Sequence, residues 1–507
     1  MADFLGFLAS VYAMVIEVFT SPSQDPMGSR ETLSFYNTLS RSKESFGALQ
    51  PDVVKMYNCG PTVYGRQHIG NLSMFIFTDV LRRTLEYNAY SVKQVINFTD
   101  FGHLVSDADE GEDKMARGLK REGLSPTLEN MRVLGEKYAN LFLEDIRALN
   151  VEADKITFPR ASDFIPAQIA MIQTLEEKGY AYTAKGGVYF DTARFPDYGK
   201  LGNIDLAGLR EGARVKVVTD KRNPTDFLLW KSSRRLGWSS PWGKGFPGWH
   251  IECSAMIRAI LGAQIDIHTG GIEHIPIHHN NEIAQSECAT GKHPLSRFWL
   301  HRAHIQLEGA KIAKSDGNVV YLTDVIERGF HPLALRYLFL GAHYRTPSNF
   351  TWDALAASRT AFSKLVALRL SLKDTHATVP ARAWRRKFAE RINDDLDTPG
   401  ALAVLWEMTK DETLSPEERL ATLLDADRVL GLNLAEPDEA AQKLAAGEMK
   451  EEVAAENVPE NIAALIKERD EARAAKNWQR ADELRNIIES GGYSIEDAGA
   501  SSRIFKL

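Results

Sequence analysis

Cysteine is scarce in this chain. Cys59, Cys253 and Cys288 are the whole complement in 507 residues, too few for a disulfide framework and in keeping with a reducing cytoplasm. A surplus of positive charge is missing too: 61 Lys and Arg face 68 Asp and Glu, for a formal net charge of −7. The chain is therefore no general polycation, and any nucleic acid must be met by local basic patches. Long apolar runs are absent. Phe4 to Ile16 comes nearest and falls well short of the roughly 20 residues a membrane helix needs. With no Lys or Arg before Arg30, the positive start of a secretory signal is lacking as well. Residues 1–32 are read as an N-terminal extension, with no stable membrane association and a cytoplasmic location. No tandem repeat is present, and a charged fraction of 25% with a hydrophobic fraction of 44% is ordinary for a globular protein. The length suggests about three domains.

What is there begins at Val53-Val54-Lys55-Met56-Tyr57, a β-branched and aromatic run that reads as a strand. Leu72, Phe75, Ile76 and Val80 then recur at helical spacing through Tyr87, and Val92 to Phe98 reads as a second strand. A strand, helix and strand in that order imply a right-handed crossover in a parallel sheet. The loop between the first strand and the helix lies at the sheet's carboxyl edge, where open α/β folds bind ligands. Gly70 gives access to the helix N-terminus, whose unpaired N–H groups and dipole favour anions. Asn97 and Thr99, just past the second strand, are candidate polar groups of the same pocket.

Farther along, Pro126 to Leu149 and Asp163 to Gly179 are helical in pattern, and residues 180–230 read as a mixed insertion. Asp226 to Lys231 is expected to return to the parallel sheet. The Gly- and Pro-rich loop Pro241 to His250 delivers Cys253 to a helix expected from Ser254 to Leu261. Ile265 to Gly271 follows as strand and glycine turn, and His278 opens another helix with Glu282 on its face. Beyond Tyr344 the alternation gives way to a helix bundle. Glu436 to Glu460, acidic and poor in large apolar residues, reads as a flexible linker. Two helical stretches broken near Asn477 close the chain.

Cys59, Cys253, His278 and Glu282 all fall at loops or helix starts near the carboxyl edge. Thiolate, imidazole and carboxylate suit zinc. On spacing alone, the same residues also fit two buried cysteines and an ordinary helical histidine. Cys288 has no ligand pattern around it and is expected to be inert.

His68-Ile-Gly-Asn71 and Lys311-Ile-Ala-Lys-Ser315 together resemble the HIGH and KMSKS signatures of class I aminoacyl-tRNA synthetases. Asn71 stands in place of the second histidine, and Ile312-Ala313 in place of Met-Ser; both lysines are kept. Tyr57-Asn-Cys-Gly-Pro-Thr-Val-Tyr64, Pro247-Gly-Trp-His-Ile-Glu-Cys-Ser-Ala-Met256 and His278-His-Asn-Asn-Glu-Ile-Ala-Gln285 resemble the cysteinyl-tRNA synthetase family, from about Leu33 to the C-terminus. The resemblance implies a Rossmann-like parallel-sheet catalytic domain over 33–345, with an insertion at about 120–230. It further implies a helix-bundle tRNA-binding domain over 346–435, a linker at 436–460 and a small anticodon-binding domain over 461–507.

By the same resemblance Cys59, Cys253, His278 and Glu282 hold one zinc ion that also takes the substrate thiolate. Trp249 walls the amino-acid pocket, with Thr62, Thr99 and His268 nearby. Gly70, Asn71, Gly270 and Gly271 lie at the nucleotide, and His68, Lys311 and Lys314 hold the phosphates of Mg-ATP. The implied reaction joins L-cysteine to tRNA(Cys) through cysteinyl-adenylate, by a monomeric enzyme. Two alternatives stand beside it: a ligase passing activated cysteine to an amino sugar, as a mycothiol ligase does, and a catalytically silent RNA-binding relative.

Overall fold

The computed structural model describes residues 32–101, 114–202, 221–307, 310–311, 319–447, 451–475, 477–491, 493–498 and 501–506. Of the expected extension over 1–32, all but residue 32 lies outside them. At the centre is a five-stranded, wholly parallel sheet in the order Ser296–Arg302, Ile265–Gly271, Val53–Asn58, Ser91–Ile96, Ile156–Thr157. The strand Val53–Asn58 sits in its middle, with Val54, Met56, Tyr57 and Asn58 buried and Val54 and Met56 packed in one core with Phe77, Leu81 and Leu85 of the helix Ile69–Tyr87. Leu72, Phe75, Ile76 and Val80 of the helix Ile69–Tyr87 bury themselves in the main core. That helix starts where His68 Nδ1 accepts the Asn71 backbone N–H at 3.1 Å, a side-chain cap on one of the donors a helix leaves unpaired.

The return of Asp226–Lys231 to this sheet is not observed. Phe227–Ser232 instead belongs to a separate antiparallel sheet with Ala181–Ala184, Gly187–Phe190 and Gly245–Pro247. The cause is local: Gly186 and Gly187 turn the chain straight back on itself, and Gly187, at φ +145°, lets the strands approach where any Cβ would lie 1.9 Å from the Trp230 carbonyl oxygen. The insertion thus runs on to Pro247.

The next helix starts at Trp249 rather than Ser254. Gly248 makes this early start possible, because a Cβ there would sit 2.0 Å from the Leu228 carbonyl oxygen. Trp249 and Cys253 therefore share one helix, one turn apart.

A buried cluster of charge ties the parallel-sheet unit to the bundle. Asp79, fully buried on the helix Ile69–Tyr87, accepts from Arg82 at 2.6 Å, Arg83 at 2.7 Å and Arg336 at 2.7 Å. Arg336 lies on the helix Pro332–Leu340 and also donates to the carbonyl of Leu430, the last residue of the bundle helix Pro416–Leu430. The stretch Asn393 to Pro399 is likewise structural. Asp397 caps the helix Thr398–Thr409, and Asp395 accepts from Tyr36 N, Tyr344 Oη and Arg345 Nε.

The linker reading of 436–460 needs correction. A short helix, Glu439–Ala445, is capped by Asp438 and buries Ala441 and Leu444, packing on the bundle helix Trp352–Ser371. Two small apolar residues one turn apart are enough to dock it. Glu451–Glu452 then pairs with the last strand, Ser501–Lys506. The C-terminal unit is the expected pair of helices, Glu460–Ala474 and Trp478–Ser490, plus a hairpin, Tyr493–Ala498 with Ser501–Lys506, that was not anticipated. No helix among the described residues is long and apolar enough to cross a membrane.

Candidate active site

A cavity of about 670 Å³ opens at the carboxyl edge of the parallel sheet. It is lined by Cys59, Thr62, Thr99, Trp249, Cys253 and His278, and also by His68, Gly70, Asn71 and Gly271. The helix N-terminus and the sulfur cluster therefore face one space.

Local backbone geometry sets the sulfurs. Cys59 leaves its strand with its N–H still donating to the Thr269 carbonyl at 3.1 Å. The next residue, Gly60, presses so closely on the neighbouring strand's exit that a Cβ would lie 1.7 Å from the Asn97 carbonyl oxygen. Its N–H donates to Asn97 Oδ1 at 2.9 Å, and the same Oδ1 stands 4.0 Å from Cys253 Sγ. Asn97 so spaces the two cysteine-bearing segments.

The donor atoms of Cys59, Cys253, His278 and Glu282 lie within 4.8 Å of one another, all four residues buried. A second set, Cys59, His268, His279 and Glu282, meets the same distance. The two differ in outlook: Cys253 and His278 line the cavity, whereas His268 and His279 do not. The first set is thus the one a ligand in the cavity can reach. Two of its members, His278 and Glu282, are held from behind. His278 Nδ1 meets His250 Nδ1 at 2.9 Å, which turns Nε2 towards Glu282 Oε1 at 2.8 Å and Cys253 Sγ at 3.7 Å. His268 Nε2 meets the other Glu282 oxygen, Oε2, at 2.9 Å. Outer contacts of this kind fix ligand orientation at metal sites.

The electrostatics follow from burial and pairing. Burial opposes ionisation of Glu282, yet His268 and His278 hold it well below the usual carboxylate range. Burial likewise opposes the charge on His278, but Glu282 and Cys253 raise it to about 10. Of the two thiols, Cys59 is pushed up by burial, while Cys253, accepting from Cys59, is drawn down to about 6. Glu282 and Cys253 thus outnumber the one cationic ring, His278, and leave a negative excess in a buried place, a setting that a metal cation relieves.

More histidine surrounds the site than sequence reasoning singled out. His279 Nε2 lies 3.4 Å from Cys59 Sγ, its Nδ1 meets His301 Nε2 at 2.8 Å, and His301 Nδ1 meets Thr38 Oγ1 at 2.8 Å. Burial keeps both rings neutral, with His301 drawn down to about 3. Glu252 was missed too; it accepts from Thr99 Oγ1 at 2.7 Å, and burial raises its carboxyl well above the ordinary range. The available signal was density, since His250, His268, His274, His278, His279 and His301 crowd into one stretch.

These features agree with what the chain resembles in known proteins. Residues 45–360 match the family model for the class I (C) tRNA synthetase catalytic domain, and residues 455–502 match that for the cysteinyl-tRNA ligase anticodon binding domain. Cysteine–tRNA ligase 1 of Burkholderia lata is 44% identical over 93% of this chain and 97% of its own length. The cysteine–tRNA ligase of Treponema denticola is 38% identical over 94% of this chain and all of its own length.

The chain belongs to the cysteine–tRNA ligase family.

Among solved structures, methionyl-tRNA synthetase of Mycobacterium tuberculosis bound by methionyl-adenylate superposes with a TM-score of 0.53 at 13% identity, covering 77% of this chain and 93% of that one. That likeness shows the class I fold.

Within this family member, the expected site residues are not all alike. Trp249 does wall the cavity, its ring stacked 4.3 Å from His278. Thr62 and Thr99 line it side by side, bridged across the strand ends. His268 stands behind Glu282 instead of at the cavity wall, stacked on Trp299. Gly270 also lies off the cavity; a Cβ there would meet His274 Nδ1 at 2.6 Å and His279 Cε1 at 2.7 Å, so it makes room for the histidines. Asn71 lines the cavity with its Nδ2 donating to Gln67 Oε1 at 2.7 Å. Lys311 forms a two-residue strand with Ala310, paired to Ile305–Leu307, and Lys314 lies outside the described residues. Cys288 takes no part in either donor set, and burial pushes its thiol up to about 12.

Proposed function

We propose that this chain activates L-cysteine with ATP and attaches it to tRNA(Cys). The observation that carries this reading is one cavity shared by a thiol-containing donor cluster and a capped helix N-terminus. The first recognises sulfur; the second receives phosphate. The match of residues 455–502 to an anticodon binding domain supports it, and the helix bundle before it is assigned to the same tRNA.

Cys59, Cys253, His278 and Glu282 fit zinc by donor type, by convergence and by their supporting bonds. Zinc bound there favours sulfur over oxygen and eases thiol deprotonation, which separates cysteine from serine where a pocket that measures size alone reaches only roughly a hundredfold. The chain's residues do the remaining work. Trp249 closes one wall beside His278 and excludes water. The cysteine carboxylate attacks the α-phosphorus of Mg-ATP and pyrophosphate leaves; then a ribose hydroxyl of the tRNA terminus, the 2′ by class I resemblance, attacks the adenylate carbonyl and AMP leaves. Neither step needs a protein nucleophile, only positioning and charge stabilisation. His68, the N–H groups around Gly70, Lys311 and Lys314 are assigned to the phosphates.

Charging of unfractionated tRNA with labelled cysteine tests the whole reading. Esterification to tRNA alone is the expected result. Cysteine-dependent pyrophosphate exchange without charging would point to an amino-sugar acceptor, against which the anticodon-binding match at 455–502 argues.

A further inference from the structure

Five arginines are buried among the described residues: Arg82, Arg83, Arg302, Arg336 and Arg469. Four of them meet carboxylates, three at Asp79 and Arg469 at Asp470. Arg302 is the exception. It is only 7% exposed, yet no carboxylate among the described residues comes within ion-pairing distance; its Nε donates to the neutral Ser73 Oγ at 3.0 Å. Burial lowers it to about 10, so it stays a cation at neutral pH. Its guanidinium also lies 5.8 Å from the centre of the Phe339 ring, but it meets no counter-charge, and a buried charge without one weakens a fold unless something else answers it.

Its position shows what answers it. Arg302 ends the strand Ser296–Arg302, directly opposite Gly271 on Ile265–Gly271. Ser73, its partner, sits in the first turn of the helix Ile69–Tyr87 and donates to the Gly70 carbonyl at 2.7 Å. Arg302, Gly70, Asn71, Ser73 and Gly271 all line the active cavity. Through Ser73 the guanidinium is braced against the helix N-terminus, and it has N–H donors beyond the one Ser73 takes. Asn71 beside it is neutral, with its amide given to Gln67. Lys114 and Arg117 also line the cavity but are more exposed, and Glu273, the acid on that wall, does not pair with Arg302.

We propose that Arg302 is a phosphate-binding residue of the nucleotide site, donating to a phosphate oxygen of ATP and of the adenylate. This rests on the ATP-dependent reading above and adds to it the cation that the cavity's helix N-terminus works with. The planar fork of arginine suits a phosphate.

The test compares adenosine with AMP, which differ by the phosphate alone. Both are titrated against the wild-type protein and the Arg302→Gln and Arg302→Lys variants, with thermal unfolding as the control for fold. Loss of a charge-assisted contact predicts AMP weakened roughly tenfold or more in the Gln variant, with adenosine unchanged. The lysine variant should fall between, and it carries the test should the Gln variant not fold. In pyrophosphate exchange KM for ATP should rise while KM for cysteine stays. Equal weakening of adenosine and AMP would mean a packing role and overturn the proposal. So would unchanged AMP binding, or an effect confined to cysteine or to tRNA. The nucleotide comparison needs no amino acid, so a wild-type protein inactive in exchange would refute the functional reading without deciding this one.

Discussion

Asp79→Asn is the most demanding perturbation available away from the cavity. Asp79 is wholly buried and accepts from three arginines, of which Arg82 and Arg336 are themselves wholly buried. The substitution keeps volume and shape but leaves those guanidinium groups facing a neutral amide. Removing one partner of a buried pair costs about 3–5 kcal/mol, because the remaining charge is left unanswered. Arg82 retains Glu86 at 2.8 Å and Glu152 at 2.6 Å, so the loss falls chiefly on Arg336, whose carboxylate partner is Asp79. We therefore expect destabilisation of about 3 kcal/mol or more, with a fall in Tm of roughly 3–5 °C for a cooperative unit of this size. Scanning calorimetry and urea titration of wild type and variant would measure it. The pH dependence has a definite sign. Burial opposes ionisation of Asp79, but Arg336, Arg83 and Arg82 hold its folded pKa well below the ordinary value. Its contribution is thus fully present above the unfolded pKa of about 4 and lost as pH falls below it. Wild type should lose its advantage over Asp79→Asn on acidification. A variant within about 1 kcal/mol of wild type at pH 7 would refute this reasoning.

Three further outcomes are expected. Gly60→Ala should abolish cysteine activation or folding, since its Cβ would overlap the Asn97 carbonyl at 1.7 Å; a fully active alanine variant would show that the two strand exits need not touch. Cys253→Ser should lower bound zinc and cysteine activation together, measured by metal analysis and exchange on the same sample. Activity lost with zinc retained would remove Cys253 from the ligand set. His268→Gln should weaken zinc roughly 10–100-fold through Glu282 while leaving adenosine binding alone; competition with a chromogenic chelator reads the metal, and unchanged affinity would leave His268 a packing residue.

The parallel sheet was legible because Val53–Asn58 and Ile265–Gly271 are buried runs whose periodicity matches their place in the fold. Phe227–Ser232 misled for the same reason: a buried apolar strand looks alike in either kind of sheet, and only the Gly186-Gly187 turn tells them apart. At the site, Cys59, Cys253, His278 and Glu282 stood out by residue type and by falling near the carboxyl edge; spacing alone fitted buried cysteines and a helical histidine as well, and the family resemblance singled the four out. Their supports did not stand out. His250, His301, Thr38 and Glu252 act through contacts made across the fold, and nothing local marks a histidine that braces another histidine. Glu439–Ala445 escaped for a plainer reason, as Ala441 and Leu444 are too little apolar surface to show as a pattern.

The central claim is that one cavity joins a thiol-selecting metal centre to a phosphate-binding helix start. Pyrophosphate exchange on protein stripped of metal and then titrated with zinc, with cysteine and serine as parallel substrates, tests it most directly. Exchange with cysteine should vanish on stripping, return in proportion to zinc bound, and exceed that with serine by far more than the roughly hundredfold a pocket that only measures size provides. Cysteine activation that persists undiminished in fully stripped protein would contradict it.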